Sequence, residues 1–303
     1  MRRVVVTEAV HEDALALLRD AGWRILPPSA GGELPQAEAL LIRIRTLTEA
    51  EAARFPLIAK HGVGVDNIPL RAVQRAGGAV MNTPGANSGA VAEQALMMML
   101  ALARNLDLQR AASAQGGPPP RVAGLEARRL LVVGYGASGG RLAHLARELG
   151  MTVTVYTPRP DPARARGFGV ATRLDTALAE ADVISLHCPL TAQTRHLLDA
   201  RHLALLAKGA FVVNCARGGL VDEAALAAAL QAGHLGGAAL DVTEVEPLPP
   251  DHPLRQTPNL ILTPHAAAMS EGAFRRMGMM AAQNILDHAA GHPDPAHLVR
   301  LPT

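Results

Sequence analysis

Cysteine is nearly absent from this chain of 303 residues: Cys188 and Cys215 are the two that occur. Two thiols are too few for a disulfide scaffold or a four-cysteine metal site, and no metal is expected. Each falls in an apolar stretch that reads as a buried strand, which makes them small core side chains. Aromatic residues make up 2% of the chain, leaving no platform on which nucleic-acid bases could stack. Neither sign of charge dominates, with 29 Lys+Arg against 27 Asp+Glu and no long basic run. Nothing therefore asks for nucleic acid or an anionic membrane as a partner. Long hydrophobic runs are missing too. The most apolar segment, 95–103, is well short of the ~20 residues that span a bilayer. The opening MRRVVVTEAV reads as a first β-strand rather than a signal peptide. A cytoplasmic location fits these absences.

What is present is apolar and alternating. Hydrophobic residues make up 49% of the chain, and its length predicts two domains. Short apolar runs at Arg3–Val6, Ala39–Ile42, 57–59 and Ala79–Met81 read as buried strands, with a first helix over 11–20. A long helical pattern over 88–112 gives way to Gln115-Gly-Gly-Pro-Pro-Pro-Arg121, the best linker in the chain. A second series follows at 130–133, Thr152–Tyr156, 183–187, 210–214, 238–242 and Leu260–Leu262, and the tail over 267–290 is helical again. Strand–helix alternation predicts parallel sheets with helices on their faces, and six strands are what a complete doubly wound dinucleotide fold needs.

The run Leu130-Leu-Val-Val133 leads into Gly134-Tyr-Gly136-Ala137-Ser138-Gly139 and then a helical stretch over 141–149. A G-x-G-x-x-G alone is weak, but here strand, loop, helix and second strand all fall at dinucleotide-fold spacing. The first glycine permits the turn, the second lets the backbone approach a pyrophosphate, and the third lets helix and strand close up.

Three further segments sit at carboxyl ends of expected strands, where open α/β sheets place their ligands. They are Val213-Asn-Cys-Ala216-Arg217-Gly, Asp241-Val-Thr-Glu-Val-Glu246-Pro and Thr263-Pro-His265-Ala. Together they supply a guanidinium, the best bidentate partner for a carboxylate, an imidazole suited to act as an acid at neutral pH, and a carboxylate that favours the protonated ring when beside it. Asp222 is more simply the N-cap of the helix Glu223–Gln231.

With Lys60-His-Gly62-Val63-Gly64-Val-Asp66-Asn-Ile68 and Asn82-Thr-Pro-Gly85-Ala-Asn87, these motifs resemble the D-isomer-specific 2-hydroxyacid dehydrogenase family, in family order from about residue 40 to about residue 285. The resemblance implies two Rossmann-like domains: a doubly wound dinucleotide-binding domain, 93–271, inserted into a flavodoxin-like substrate domain of 1–92 and 272–303. It implies that Arg217 binds the substrate carboxylate and carbonyl, and that Glu246 holds and charges His265, which protonates the carbonyl as hydride arrives. It places Arg43, Val63 and Gly64 at the substrate, Gly62–Gly64 giving backbone N–H groups to the carboxylate. Arg43 matches an arginine that meets the far end of the substrate in phosphoglycerate-type members; a plain surface cation is its other reading. Gly134, Gly136, Ala137, Ser138, Gly139, Thr157, Arg159, Pro189, Ala216 and Asp241 would contact the cofactor, Asp241 at the nicotinamide amide. His187 fits either a cofactor contact or a core histidine. A homodimer is implied as well.

Several positions refine the expectation. Ser138 stands where the family has Ile or Val, read as a minor repacking, and the segment 105–123 is short, so the hinge or dimer arm should differ. Val63 is not the lysine of phosphite-oxidising relatives, and Glu246 is not the glutamine of formate-oxidising ones. No regulatory domain follows residue 303, so feedback by a serine-binding module is not expected. The second dinucleotide strand ends in Tyr156-Thr157-Pro158-Arg159 with no acid to hold the ribose hydroxyls of NAD. The run is similar to the Tyr-Thr-x-Arg of NADPH-using glyoxylate reductases, so NADP is favoured over NAD; a solvated Arg159 and acceptance of either cofactor is the alternative. The expected reaction is that of a glyoxylate/hydroxypyruvate-type reductase. A phosphoglycerate- or sulfolactate-type dehydrogenase is the alternative, and a non-catalytic NAD(H)-sensing corepressor-like protein a remote one.

Overall fold

The computed structural model describes residues 1–158 and 167–300, and these fall into two units, Met1–Asn87 with Ala268–Thr303, and Ser88–Ala267. Helix Ser88–Arg104 therefore goes whole with the second unit.

In the first unit β1 (Arg3–Val6), β2 (Arg24–Leu26), β3 (Ala39–Ile42), β4 (Leu57–Lys60) and β5 (Ala79–Met81) form a parallel sheet in the order β2-β1-β3-β4-β5. This is the flavodoxin-like order. β3 and β4 are buried at every position, as the unbroken apolar runs require of central parallel strands. Helices Glu12–Asp20 and Glu271–Ala289 cover one face, with Ala14, Leu18, Ala281, Ala282 and Ile285 in the core.

The second unit holds β6 (Arg129–Val133), β7 (Thr152–Tyr156), β8 (Gly169–Ala171), β9 (Val183–Leu186), β10 (Phe211–Asn214), β11 (Gly237–Leu240) and β12 (Leu260–Leu262). They pair in parallel in the order β12-β11-β10-β9-β6-β7-β8, which is the doubly wound order with a seventh strand added. Leu130 and Val132 enter one core while Leu131 and Val133 enter the other, so alternate residues of β6 serve opposite faces. Connections run opposite ways from β6 and β9, which opens a crevice at their carboxyl ends.

Three features depart from the sequence reading. β2 and β8 are additional strands, each three residues long with no buried position. The helical stretch expected over 88–112 is two helices, Ser88–Arg104 and Leu106–Ala114. Asn105 breaks it by adopting a left-handed backbone (φ 43°) while its side chain accepts the Leu108 amide at 3.1 Å. Asparagine is among the few residues that tolerate that conformation. No helix among the described residues is long and apolar enough to cross a membrane.

Candidate active site

The glycine loop after β6 shows three different uses of a missing side chain. Gly134 has φ +97°, and a Cβ there would lie 2.6 Å from the Cys188 nitrogen at the end of β9. A Cβ on Gly139 would lie 2.1 Å from the Gly134 carbonyl oxygen, so loop and helix Ala137–Glu148 could not close. A Cβ on Gly136 would meet nothing within 4 Å among the described residues, and its φ of −85° suits any residue. Folding needs Gly134 and Gly139; it does not need Gly136. The bare backbone at Gly136 is what close approach of a pyrophosphate requires, and the helix behind it begins without a side-chain cap, its first N–H groups suited to an anion. These residues fit a dinucleotide.

Beneath the loop, the His187 ring is hydrogen-bonded on both sides, Nδ1 to Ser138 Oγ (3.2 Å) and Nε2 to Ser185 Oγ (2.9 Å). Burial pushes its pKa down to about 4. A neutral imidazole has one donor and one acceptor, and two hydroxyls satisfy either tautomer. Both ring nitrogens of His187 are thus satisfied within the protein. Ser138 is more than the minor repacking expected, because its hydroxyl ties the glycine loop to β9.

At the far strand ends, Asn214 is fully buried and acts as a bracket: Nδ2 donates to the Arg217 carbonyl (2.8 Å) and Oδ1 accepts the Ala216 amide (3.0 Å). Arg217 is half-buried, and its Nη1 donates to the Ala216 carbonyl (2.6 Å). Gly218 then packs on the next loop so closely that a Cβ would lie 2.0 Å from the Thr243 carbonyl carbon. That loop carries Glu246, whose Oε1 accepts the Thr243 amide (3.1 Å) and whose Oε2 accepts the His265 Nδ1–H (2.7 Å). Half-burial pushes the Glu246 carboxyl up, but the His265 hydrogen bond and charge, the Thr243 amide and Arg217 outweigh it and leave it below its ordinary value.

His265 has φ +53°, an uncommon conformation for a side-chain-bearing residue. Buried Asp241 enforces it. Its backbone carbonyl accepts the His265 amide (2.8 Å), and its carboxylate accepts the amides of Ala266 (2.8 Å) and Ala267 (2.9 Å). Pairing at Nδ1 leaves Nε2 as the ring atom able to present a proton. Arginine, carboxylate and imidazole thus stand on one sheet edge with the glycine loop, a set able to hold a carboxylate and protonate an adjoining oxygen. Sequence reasoning had not given Asn214 or Gly218 a role: Asn214 acts within its own turn, and Gly218 is distinguished by its close approach to the remote loop at Thr243.

The sequence model for the D-isomer specific 2-hydroxyacid dehydrogenase NAD-binding domain matches residues 96–267. D-3-phosphoglycerate dehydrogenase of Archaeoglobus fulgidus is 37% identical over 96% of this chain and 58% of its own length. Glyoxylate reductase of Aeropyrum pernix is 35% identical over 97% of this chain and 94% of that enzyme. The crystal structure of the TT0316 protein from Thermus thermophilus superposes with a TM-score of 0.88 at 34% identity, covering 98% of this chain and 100% of that one. The chain belongs to the D-isomer-specific 2-hydroxyacid dehydrogenase family. It spans 48–58% of the length of the phosphoglycerate dehydrogenases it matches.

The remaining positions singled out for a family member are distributed as follows. In the first unit Arg43 is half-buried, its guanidinium 5.6 Å from the centre of the Phe274 ring, and its backbone amide donates to Glu8 (2.8 Å). The Gly62 amide already donates to Thr83 Oγ1 (3.1 Å). Val63 and Gly64 follow it on an open turn, with Val63 exposed. In the second unit Thr157 follows β7, half-buried, and exposed Pro189 accepts the Thr194 hydroxyl (2.8 Å). Arg159 lies outside the described residues.

Proposed function

We propose that this chain is an NAD(P)-dependent oxidoreductase that interconverts a small 2-oxo acid and its D-2-hydroxy acid. The observation that carries the reading is the 2.7 Å pair between His265 and Glu246, set beside Arg217 at the sheet edge that bears the glycine loop. Arg217 holds the carboxylate and carbonyl. His265 passes a proton from Nε2 to the carbonyl oxygen, and Glu246 keeps the ring oriented and charged. Val63 and Gly64 offer backbone N–H groups to the carboxylate. Gly134, Gly136, Ala137, Ser138, Gly139, Pro189, Ala216 and Asp241 hold the nicotinamide cofactor, which supplies the hydride when bound. The Asp241 carboxylate already accepts the Ala266 and Ala267 amides and the Thr263 hydroxyl, which leaves about one of its four acceptor sites for the cofactor.

Glyoxylate/hydroxypyruvate-type reduction is the first choice of substrate, supported by the near-complete match to the Aeropyrum reductase. A phosphoglycerate- or sulfolactate-type substrate is the second, favoured by Arg43 on its Phe274 platform. Initial rates with a panel of small 2-oxo acids and both reduced cofactors test the reading. Reduction of none of them would point instead to a dinucleotide-sensing protein. A homodimer belongs to the same proposal: helix Leu106–Ala114 has no buried residue, and Leu106, Leu108, Met97 and Leu100 are exposed. So does a cytoplasmic location, in keeping with two free cysteines.

Gly136→Ala should leave the melting temperature unchanged and weaken dinucleotide binding about 10–200-fold, the usual effect of one surplus carbon in a close-fitting site. Fluorescence titration beside a thermal melt measures both, and unchanged affinity would remove the loop from the cofactor site. NADPH should be preferred over NADH. Thr157 carries no charge to repel a 2′-phosphate, and a charge-assisted contact from Arg159 would be worth ~1.5–3 kcal/mol, about 10–150-fold in affinity. Thr157→Asp with Arg159→Ala should abolish or reverse the preference in kcat/KM, and a wild-type preference for NADH would refute it.

A further inference from the structure

We infer that Glu223 is a positioning residue for the Glu246–His265 pair, acting through the backbone of the loop that carries Glu246. Glu223 opens the helix Glu223–Gln231, but capping does not require it, because the Asp222 side chain already accepts the Ala225 amide (3.0 Å). An acid in a first helical turn ordinarily faces water. Glu223 is 8% exposed, and its Oε1 accepts the Glu244 amide at 2.6 Å. The Glu244 carboxylate points elsewhere, to His196 Nε2 (3.0 Å). His252 Nε2 is 4.0 Å from the second Glu223 oxygen.

The backbone of the turn 243–246 is therefore held from several sides, with the Thr243 hydroxyl also on the Val245 carbonyl (2.8 Å). Gly218 lies against Thr243, Glu246 closes back onto the Thr243 amide, and Glu223 holds the Glu244 amide. Among these backbone contacts Glu223 is the one made by a side chain from another element, His196 reaching the Glu244 carboxylate instead. Burial pushes its carboxyl up, the Glu244 amide draws it back, and the Glu244 and Glu246 charges push it up again. A buried carboxylate among like charges costs stability unless it is used. Here it fixes the residue two positions before Glu246, and so the direction in which Glu246 meets His265.

The inference rests on the roles given to Glu246 and His265, so the test carries a control for them. Glu223→Ala and the volume-filling Glu223→Met should lower kcat for 2-oxo acid reduction by up to about 10²-fold, the known effect of misplacement by about 1 Å. KM for the acid and affinity for the dinucleotide should stay at wild-type values. Glu223→Gln keeps an acceptor oxygen for the Glu244 amide and should restore most of kcat. If Glu246→Gln is impaired while Glu223→Met turns over like wild type, the inference falls and the site reading stands. If Glu223→Gln is as poor as Glu223→Met, the amide contact is not the cause and the inference falls as well. If Glu246→Gln is itself unimpaired, the site reading fails first.

Discussion

His265→Gln should lower kcat by about 10²–10⁴-fold, the usual contribution of a positioned acid, and leave dinucleotide affinity at its wild-type value. The imidazole is held through Nδ1 by Glu246 at 2.7 Å and its backbone is pinned by the Asp241 carbonyl at 2.8 Å. Glutamine can occupy the same turn but has no proton to give at neutral pH. The glycine loop lies after β6, at another point of the sheet edge, so affinity and turnover should separate. Because the Glu246 carboxyl is held below its ordinary value, its share of the pairing is complete at pH above ~4.3. That share is lost only as pH falls through the lowered value. Acid inactivation should therefore begin below the ordinary glutamate range and be absent between pH 5 and 7 on this account. Single-turnover and steady-state rates beside a dinucleotide titration check the prediction. A His265→Gln variant with more than about half of wild-type turnover would remove His265 from the mechanism, since a positioned acid is worth far more than that.

Residues whose signal is local were legible in the sequence. Leu130–Val133 with its glycines, and the strand-end segments holding Arg217, Glu246 and His265, occupy β6, β10, β11 and β12 or the turns that follow them. Buried parallel strands leave unbroken apolar runs, and β6, β10 and β11 have them, while β12 is a short apolar run without a buried position. β2 and β8 left no such trace. Arg24–Leu26 and Gly169–Ala171 are edge strands with no buried side chain, as β12 is, but where β12 is the apolar run Leu260–Leu262 they open on Arg24 and Gly169 and leave too short an apolar run to record. Asn105 shows the same limit in a helix, because 88–112 is apolar enough for continuous helix and only the left-handed backbone at Asn105 divides it. The site was legible in its reactive groups and silent in their supports. Gly218, Glu223 and the bracketing use of Asp241 act on loops 21 to 26 positions away, through contacts that no spacing rule encodes, whereas Asn214 brackets its own turn. Ser138 is the instructive case: size alone suggested repacking, whereas its partner is His187, just past the end of β9.

Arg217→Lys should lower kcat/KM for 2-oxo acids by about 10–150-fold, although charge is conserved. One charge-assisted hydrogen bond is worth ~1.5–3 kcal/mol, and each 1.4 kcal/mol is tenfold. Lysine loses the second arm of the fork and the plane that aligns carboxylate and carbonyl together. The structure shows how much is invested in that plane. Asn214, buried at the end of β10, brackets the backbone on both sides of Arg217, and Nη1 is anchored on the Ala216 carbonyl at 2.6 Å. A flexible ammonium would inherit the bracket without the fork. Arg217 also helps hold Glu246 ionised, and a lysine there should preserve that charge effect. The defect should therefore reside in substrate recognition, with dinucleotide affinity and the pH dependence of turnover unchanged. The complementary experiment changes the substrate: 2-oxo amides, which lack the carboxylate, should be poor substrates of the wild type and suffer little further from Arg217→Lys. Equal wild-type rates with amide and acid would show that Arg217 reads something other than the carboxylate.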